Sequence, residues 1–305
     1  MKIISTSPCR LSLFGGGTDI EPYSSIYGGI CINLAINLRQ HFILSDDGKD
    51  NVYPVGANPH FYETFLKEFY WKPASIVSTF DSFIESGIGA SASAAVALVS
   101  GLAKASSQPL TRQEIAEKAW DIEVNKLGIF GGKQDQYAAS FGGGSLLIFE
   151  DRVYRYSLNL QRILPYLVLF HTGKNRKSAD IQEGFKELSP EQILALDKIK
   201  DIAYEAIDPV RFGDWKKVGE LLDQTWEFKK KSNTGVTNAR IDELYALSKN
   251  CGALGGKIMG AGGGGFMLFV CPPEIQEELI KALEENGCKW TDFDIDNNGV
   301  ETRIL

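Results

Sequence analysis

The chain has no CxxC pair, and its five cysteines (Cys9, Cys31, Cys251, Cys271 and Cys288) are scattered over 305 residues. That spacing fits neither a zinc knuckle nor a disulfide framework, and it predicts reduced thiols. Histidine is scarcer still. His41, His60 and His171 are the only three, no two at metal-ligand spacing, so a histidine-ligated metal centre is not expected. No run approaches the roughly 18 apolar residues of a membrane span. The N-terminal MKIISTSPCRLSLFGGG breaks into polar residues where a secretory signal would run apolar. A soluble, cytoplasmic protein with no membrane partner is expected. Basic residues are outnumbered, 32 against 39 acidic, and the formal charge of -7 offers no basic face to a nucleic-acid backbone. That charge does not exclude a small anionic ligand, because a local nest of amides can hold one within an acidic protein.

What is present is an ordinary globular mixture, 44% hydrophobic and 23% charged, long enough for two domains. The first third reads as strands: Ile3-Ile4, Leu11 to Phe14, Ile30 to Leu38, Phe42 to Leu44 and Val52-Tyr53 are short apolar or alternating runs separated by Gly, Pro and Asp. Phe61, Phe65 and Phe69 recur at helical spacing within a helix predicted from about Pro59 to Tyr70. From Ser91 the run ASASAAVALVSGLAKA is small and apolar, which suits a buried helix packed closely on a sheet. Thr111 and Glu114 form a capping box and Gly128 supplies a stop, so a helix is predicted between them. Ser145 to Phe149 and Val153 to Tyr156 read as paired strands. The region from about 176 to 250 is mostly helical. Strand-like GGKIM and FMLFV, a helix after Pro272-Pro273 and a terminal strand near Glu301 to Leu305 complete the chain. A boundary falls near residue 160, giving domains 1–160 and 161–305.

Three segments carry chemistry. In Glu85-Ser86-Gly87-Ile88-Gly89-Ala90-Ser91-Ala92-Ser93, glycines lead straight into a helix, so free amides and the positive end of the macrodipole meet at one point. This is an anion site or, more blandly, a serine-capped glycine turn. In Gly260 to Gly265 four consecutive glycines stand between two apolar strands. Their backbone entropy cost favours close approach of backbone to a ligand, with Gly262 and Gly263 as contacts, over a bare turn. The opening segment Cys9-Arg10-Leu11-Ser12-Leu13-Phe14-Gly15-Gly16-Gly17-Thr18-Asp19 places an arginine on a strand before a glycine run. Two nucleotide-binding signatures fail. Gly87-x-Gly89-x-x-Ala92 has no acidic residue about 20 positions on. Both Gly-Gly-Lys runs lack the earlier glycine and the following Ser or Thr of a Walker loop.

In this order, the three segments resemble the signature motifs of the GHMP kinase superfamily, and the resemblance spans nearly the whole chain. FGGGTD (14–19), GGKQDQYAASFGG (131–143) and IDELYALSKNCGALGGKIMGAGGGGF (241–266) are most similar to the D-glycero-D-manno-heptose 7-phosphate kinases within it. The resemblance implies an α+β fold, with an N-terminal domain like ribosomal protein S5, a ferredoxin-like C-terminal domain and a site between them. It implies ATP and magnesium as cofactors. Gly87, Ile88, Gly89, Ala90, Ser91, Ala92 and Ser93 match its phosphate loop, Ser91 and Glu123 its magnesium ligands, and Asp135 with Arg10 its catalytic pair. Gly17, Thr18 and Asp19 are expected to receive sugar hydroxyls. Two departures stand out: Ala90 replaces a serine of the usual loop, and Glu85 brings a negative charge that is expected to face outward. Lys174 and Arg176 are candidates for a distal phosphate on the substrate; a solvated helix start is the competing reading of the same residues. A kinase for heptose 7-phosphate is the leading expectation. A kinase for a neutral sugar such as fucose, and a sugar and nucleotide sensor without turnover, are the alternatives. The expected partner is the small sugar substrate, with a homodimer left open.

Overall fold

The computed structural model describes residues 1–46, 51–55, 57–71, 75–82, 87–173 and 187–305. Two antiparallel sheets organise it. The first contains β1 (Lys2–Phe14), β2 (Gly29–Ser45), β3 (Ser75–Phe80), β4 (Gly144–Phe149), β5 (Val153–Leu158) and the last strand, β10 (Glu301–Ile304). Its order is β10-β1-β2-β4-β5, with β3 also on β2. The apolar runs separated in the sequence reading are thus joined. Each of β1 and β2 is one long strand, and β2 is long enough to pair β4 along Gly29–Leu34 and β3 along Gln40–Ser45. The β1–β2 register shifts between Pro8 and Cys9, where proline has no N–H to give the ladder.

Over this sheet lies α3 (Ala90–Ala105), nearly all of it buried. Its small residues are required by distance. A Cβ on Gly101 would stand 2.6 Å from Leu44 Cδ1 and 3.1 Å from Ser5 Cβ. Helix α1 (Tyr23–Tyr27) precedes β2, and α2 (Pro59–Glu68) packs on α3. Helix α4 (Arg112–Asp121) opens with the expected capping box, Thr111 with Glu114, and runs into a π-helical turn, Ile122–Lys126. Helix α5 (Gln134–Phe141) follows.

The second sheet has order β7-β8-β6-β9, from β6 (Leu167–His171), β7 (Gly255–Ile258), β8 (Phe266–Val270) and β9 (Lys289–Thr291). With it come α6 (Pro190–Glu205), α7 (Ile207–Phe212), α8 (Trp215–Ser232), α9 (Ala239–Asn250) and α10 (Pro273–Glu285). Within the expected C-terminal domain of 161–305, the last residues return to the first sheet. Asp296 N–H donates to Ala35 O at 3.0 Å, Asn37 N–H to Asp294 O at 3.0 Å, and β10 pairs β1. Asp296 pairs with Arg39 to hold the return. Among the described residues no helix is long and apolar enough to cross a membrane.

Candidate active site

The expected phosphate loop is shaped by glycine where nothing larger fits. Gly87 and Gly89 have φ of 81° and 75°, a region that favours glycine. A Cβ on Gly87 would lie 2.6 Å from Met259 O, and one on Gly260 would lie 2.7 Å from Gly87 Cα. The glycine segments around Gly87 and Gly260 therefore interlock, backbone on backbone. Helix α3 begins at Ala90 with no side-chain cap at Gly89, which leaves its first amides and the positive end of its dipole for an anion.

Arg10 holds this point from the strand side. Its backbone N–H donates to Ile88 O at 2.9 Å. Its guanidinium donates to Gly87 O at 2.7 Å and, as a fork, to Asp135 Oδ1 at 2.7 Å and Oδ2 at 2.6 Å. Asp135 lies in the first turn of α5, its side chain 24% exposed against 6% for Arg10. One partner is thus fixed and the other keeps a face toward the cavity.

Glu123 is carried by the π turn after α4, a geometry that widens the helix and re-aims side chains. It is buried, and receives Ser91 Oγ–H at 2.5 Å and Gln136 Nε2–H at 2.9 Å. Burial pushes its carboxyl up to about 7, the Asp135 charge adds to this, and the two hydrogen bonds oppose it. A buried carboxylate with neutral donors only, beside a hydroxyl at a helix N-terminus, suits a hard cation with oxygen ligands. No three His, Cys, Asp or Glu side chains cluster among the described residues. Ser91 and Glu123 would therefore hold magnesium together with phosphate and water oxygens.

One cavity of about 1010 Å³ joins these groups. Its wall includes apolar side chains (Phe42, Tyr53, Tyr62, Ile76 and Phe80) and polar ones (Arg10, Asp19, Ser91, Glu123 and Asp135). The volume is at the upper end for small-molecule sites and has room for two ligands side by side.

Several expected contacts are used by the protein itself. Thr18 does not face the cavity; its hydroxyl lies 2.8 Å from Gly15 O and 2.9 Å from Ile30 O, and accepts from Ile30 N–H at 3.1 Å. Ser93 is also turned away, its hydroxyl donating to Ser7 O at 2.8 Å. The side chain of Ile88 belongs to the core. Gly262 and Gly263 lie against Val236, where a Cβ on Gly262 would come within 2.6 Å of Val236 O; it is Gly260 and Ala261 that line the cavity. Asp19 does line it, but receives Gly17 N–H at 3.2 Å and Gln134 Nε2–H at 2.9 Å. Burial raises its carboxyl, helped by the charge of Asp135 and opposed by the amides of Gly17 and Gln134. Gly17, Gly87, Gly89, Ala90, Ser91 and Ala92 all stand on the wall. Lys174, Arg176 and Glu85 lie outside the described residues.

Two functional-looking residues escaped the sequence reading. Lys229 on α8 and Lys257 on β7 are both buried, and both reach toward this site. Lys257 donates to Ser12 O; burial and the Arg10 charge bring its ammonium down to about 7. Lys229 donates to Ile258 O at 3.1 Å and Gly260 O at 2.5 Å. Lys229 sits in no motif, and a lone lysine in a charged helical stretch gives no signal of burial; Lys257 stands in the Gly-Gly-Lys run of 241–266, which was read only as a failed Walker loop. Gln134 and Gln136, which flank Asp135, were visible only as motif context.

A helix N-terminus bared by glycines, an arginine-braced aspartate and a buried carboxylate on one cavity are groups that phosphoryl transfer calls for. Comparison with known proteins gives the family. The GHMP kinases N terminal domain matches residues 59–143, and the GHMP kinases C terminal domain matches residues 195–289. The chain is 34% identical, over 99% of both sequences, to the D-glycero-alpha-D-manno-heptose 7-phosphate kinase of Campylobacter jejuni. It is 24% identical, over 94% of each, to the mevalonate kinase of Thermococcus gammatolerans. A crystal structure of a D-glycero-D-manno-heptose 1-phosphate kinase from Bacteroides thetaiotaomicron matches with a TM-score of 0.81 at 27% identity, covering 99% of both chains. The chain belongs to the GHMP kinase family.

Proposed function

We propose that this kinase transfers the γ-phosphoryl group of ATP to a sugar hydroxyl, and that the acceptor is the anomeric hydroxyl of D-glycero-D-manno-heptose 7-phosphate. The bidentate Arg10–Asp135 pair beside the α3 N-terminus carries the reading. Phosphoryl transfer needs positioning and charge stabilisation more than covalent help. Asp135, gripped along one edge, orients the acceptor hydroxyl and takes its proton. Arg10 fixes that carboxylate and ties it, through Gly87 O, to the loop that receives the phosphates. The amides of Ala90 to Ala92 face the phosphate oxygens, and the apolar side chains of the cavity wall receive the adenine ring. Magnesium, held by Ser91 and Glu123, would supply positive charge for the β- and γ-phosphates. The heptose acceptor is supported by the 34% identity to a heptose 7-phosphate kinase over nearly the full length.

The test is ADP release by the purified protein with heptose 7-phosphate, mannose 6-phosphate, fucose, galactose and mevalonate. Release is expected with heptose 7-phosphate above all. Asp135→Asn is expected to lower kcat by about 10²–10⁴-fold, the usual worth of acid–base positioning, while nucleotide affinity stays nearly intact. Absence of ADP release with every acceptor, or an equally active Asp135→Asn protein, refutes the assignment. A preference for fucose that survives replacement of Lys174 and Arg176 moves the acceptor to a neutral sugar.

A further inference from the structure

A polyphosphate carries several negative charges, yet the described wall of the cavity is poor in cations. It presents three carboxylates (Asp19, Glu123 and Asp135) against two cations, Arg10 and Lys229. The loop from Gly87 to Ser93 contains no lysine. Arg10 is largely engaged: of its five N–H groups, two go to Asp135 and one to Gly87 O. This leaves Lys229.

Lys229 is 9% exposed, near the C-terminus of α8, and its ammonium lies under the glycine segment around Gly260. Its two partners among the described residues are the carbonyls of Ile258 and Gly260. Gly260 is the residue whose backbone meets Gly87 of the phosphate loop. An ammonium has three N–H donors; two carbonyls leave one. A buried cation without a counter-charge is costly unless an anion joins it. Burial, then the charges of Lys257 and Arg10, push the Lys229 ammonium well below its ordinary value. An anion arriving here would offset both the burial of this charge and its repulsion by Lys257 and Arg10.

We infer that Lys229 is a phosphate-binding residue: its third N–H goes to an oxygen of the nucleotide's terminal phosphates, reached from the C-terminal side of the cavity. The inference rests on the nucleotide-dependent reading above and deepens it. It gives the second sheet's helix layer a direct hold on the phosphates, opposite the hold of α3.

Calorimetric titration of the wild type, Lys229→Met and Lys229→Gln with AMP-PNP and with adenosine tests it. Loss of a charge-assisted hydrogen bond is expected to weaken AMP-PNP by about 10–100-fold in both variants, with adenosine binding changed less than about 2-fold. Lys229→Gln keeps an amide for the carbonyls of Ile258 and Gly260, so it decides the matter if Lys229→Met fails to fold. Equal weakening of both ligands means that Lys229 only props the glycine turn, and overturns the inference; so does unchanged AMP-PNP affinity. Should the wild type release no ADP with any acceptor while Lys229 variants lose AMP-PNP selectively, the transfer reading fails and the phosphate contact stands.

Discussion

Replacing Glu123 by Gln should abolish most turnover yet stabilise the free protein at alkaline pH. Glu123 is buried at the end of the α4 π turn, and its carboxyl is raised from 4.5 to about 7, chiefly by burial. A rise of that size corresponds to about 3 kcal/mol, at about 1.4 kcal/mol per tenfold change in acidity. The sign follows from proton binding. Between pH 4.5 and 7 the folded protein holds a proton on Glu123 that the unfolded chain has released, so stability falls as pH rises through this window and stays lower above it. Glutamine has no proton to lose. Its fit is good as well: Ser91 Oγ can turn to accept from the new amide N–H, while Gln136 Nε2 goes on donating to the amide oxygen. Urea denaturation of wild type and Glu123→Gln at pH 4.5 and pH 8, without nucleotide, measures the effect. The variant should gain stability relative to wild type by up to about 3 kcal/mol between the two pH values, while its kinase activity falls steeply. Titration of other groups cancels in the difference, since only position 123 changes. An unchanged difference at the two pH values, or a wild type that gains on the variant as pH rises, would show that Glu123 is not the uncompensated buried carboxylate described above.

Gly87→Ala should cost more than about 2 kcal/mol, because it combines a positive φ with a Cβ that would come within 2.6 Å of Met259 O. Thermal denaturation reads the loss, and nucleotide affinity should fall with it, since the same contact sets the phosphate loop. Thr18→Val should cost about 1–3 kcal/mol through unpaired groups around Ile30 and Gly15. Its KM for the acceptor should change less than about 3-fold, because the hydroxyl that is lost points into the fold; a large KM effect in a protein of normal stability would restore Thr18 to the substrate.

Much of the site was legible because its residues are constrained by backbone. Glycine at 87, 89 and 260 leaves a mark in the sequence that only close approach or positive φ explains; Gly87 and Gly260 are where the two loops interlock, and Gly89 faces Arg10 and Asp135. Arg10, Ser91, Glu123 and Asp135 were expected from the family resemblance, and the structure gathers all four around one cavity. Helix α3 was legible for a related reason, a run of small residues that only a near sheet requires. What stayed hidden were choices made across long separations. Strand β3 pairs β2 from a segment with weak alternation, β10 crosses from one end of the chain to the other, and α5 has too few residues to show a period.

The hydroxyls and the ammonium groups went astray in opposite directions, for one physical reason. Thr18 and Ser93 are short, so their hydroxyls reach only nearby partners. Each sits where a backbone carbonyl, of Gly15 or Ile30 for one and of Ser7 for the other, lies within hydrogen-bond distance. A motif shows the hydroxyl but not the carbonyl that claims it. Lysine is long, so its charge can act far from its place in the sequence. Lys229 stands in an ordinary amphipathic helix, and its ammonium arrives 31 residues away in sequence at Gly260 O. A phosphate loop without its own lysine is therefore incomplete only when read along the chain. In space, the missing charge is brought by a helix of the other half, and the interlocked glycines at 87 and 260 are what allow it to come close enough.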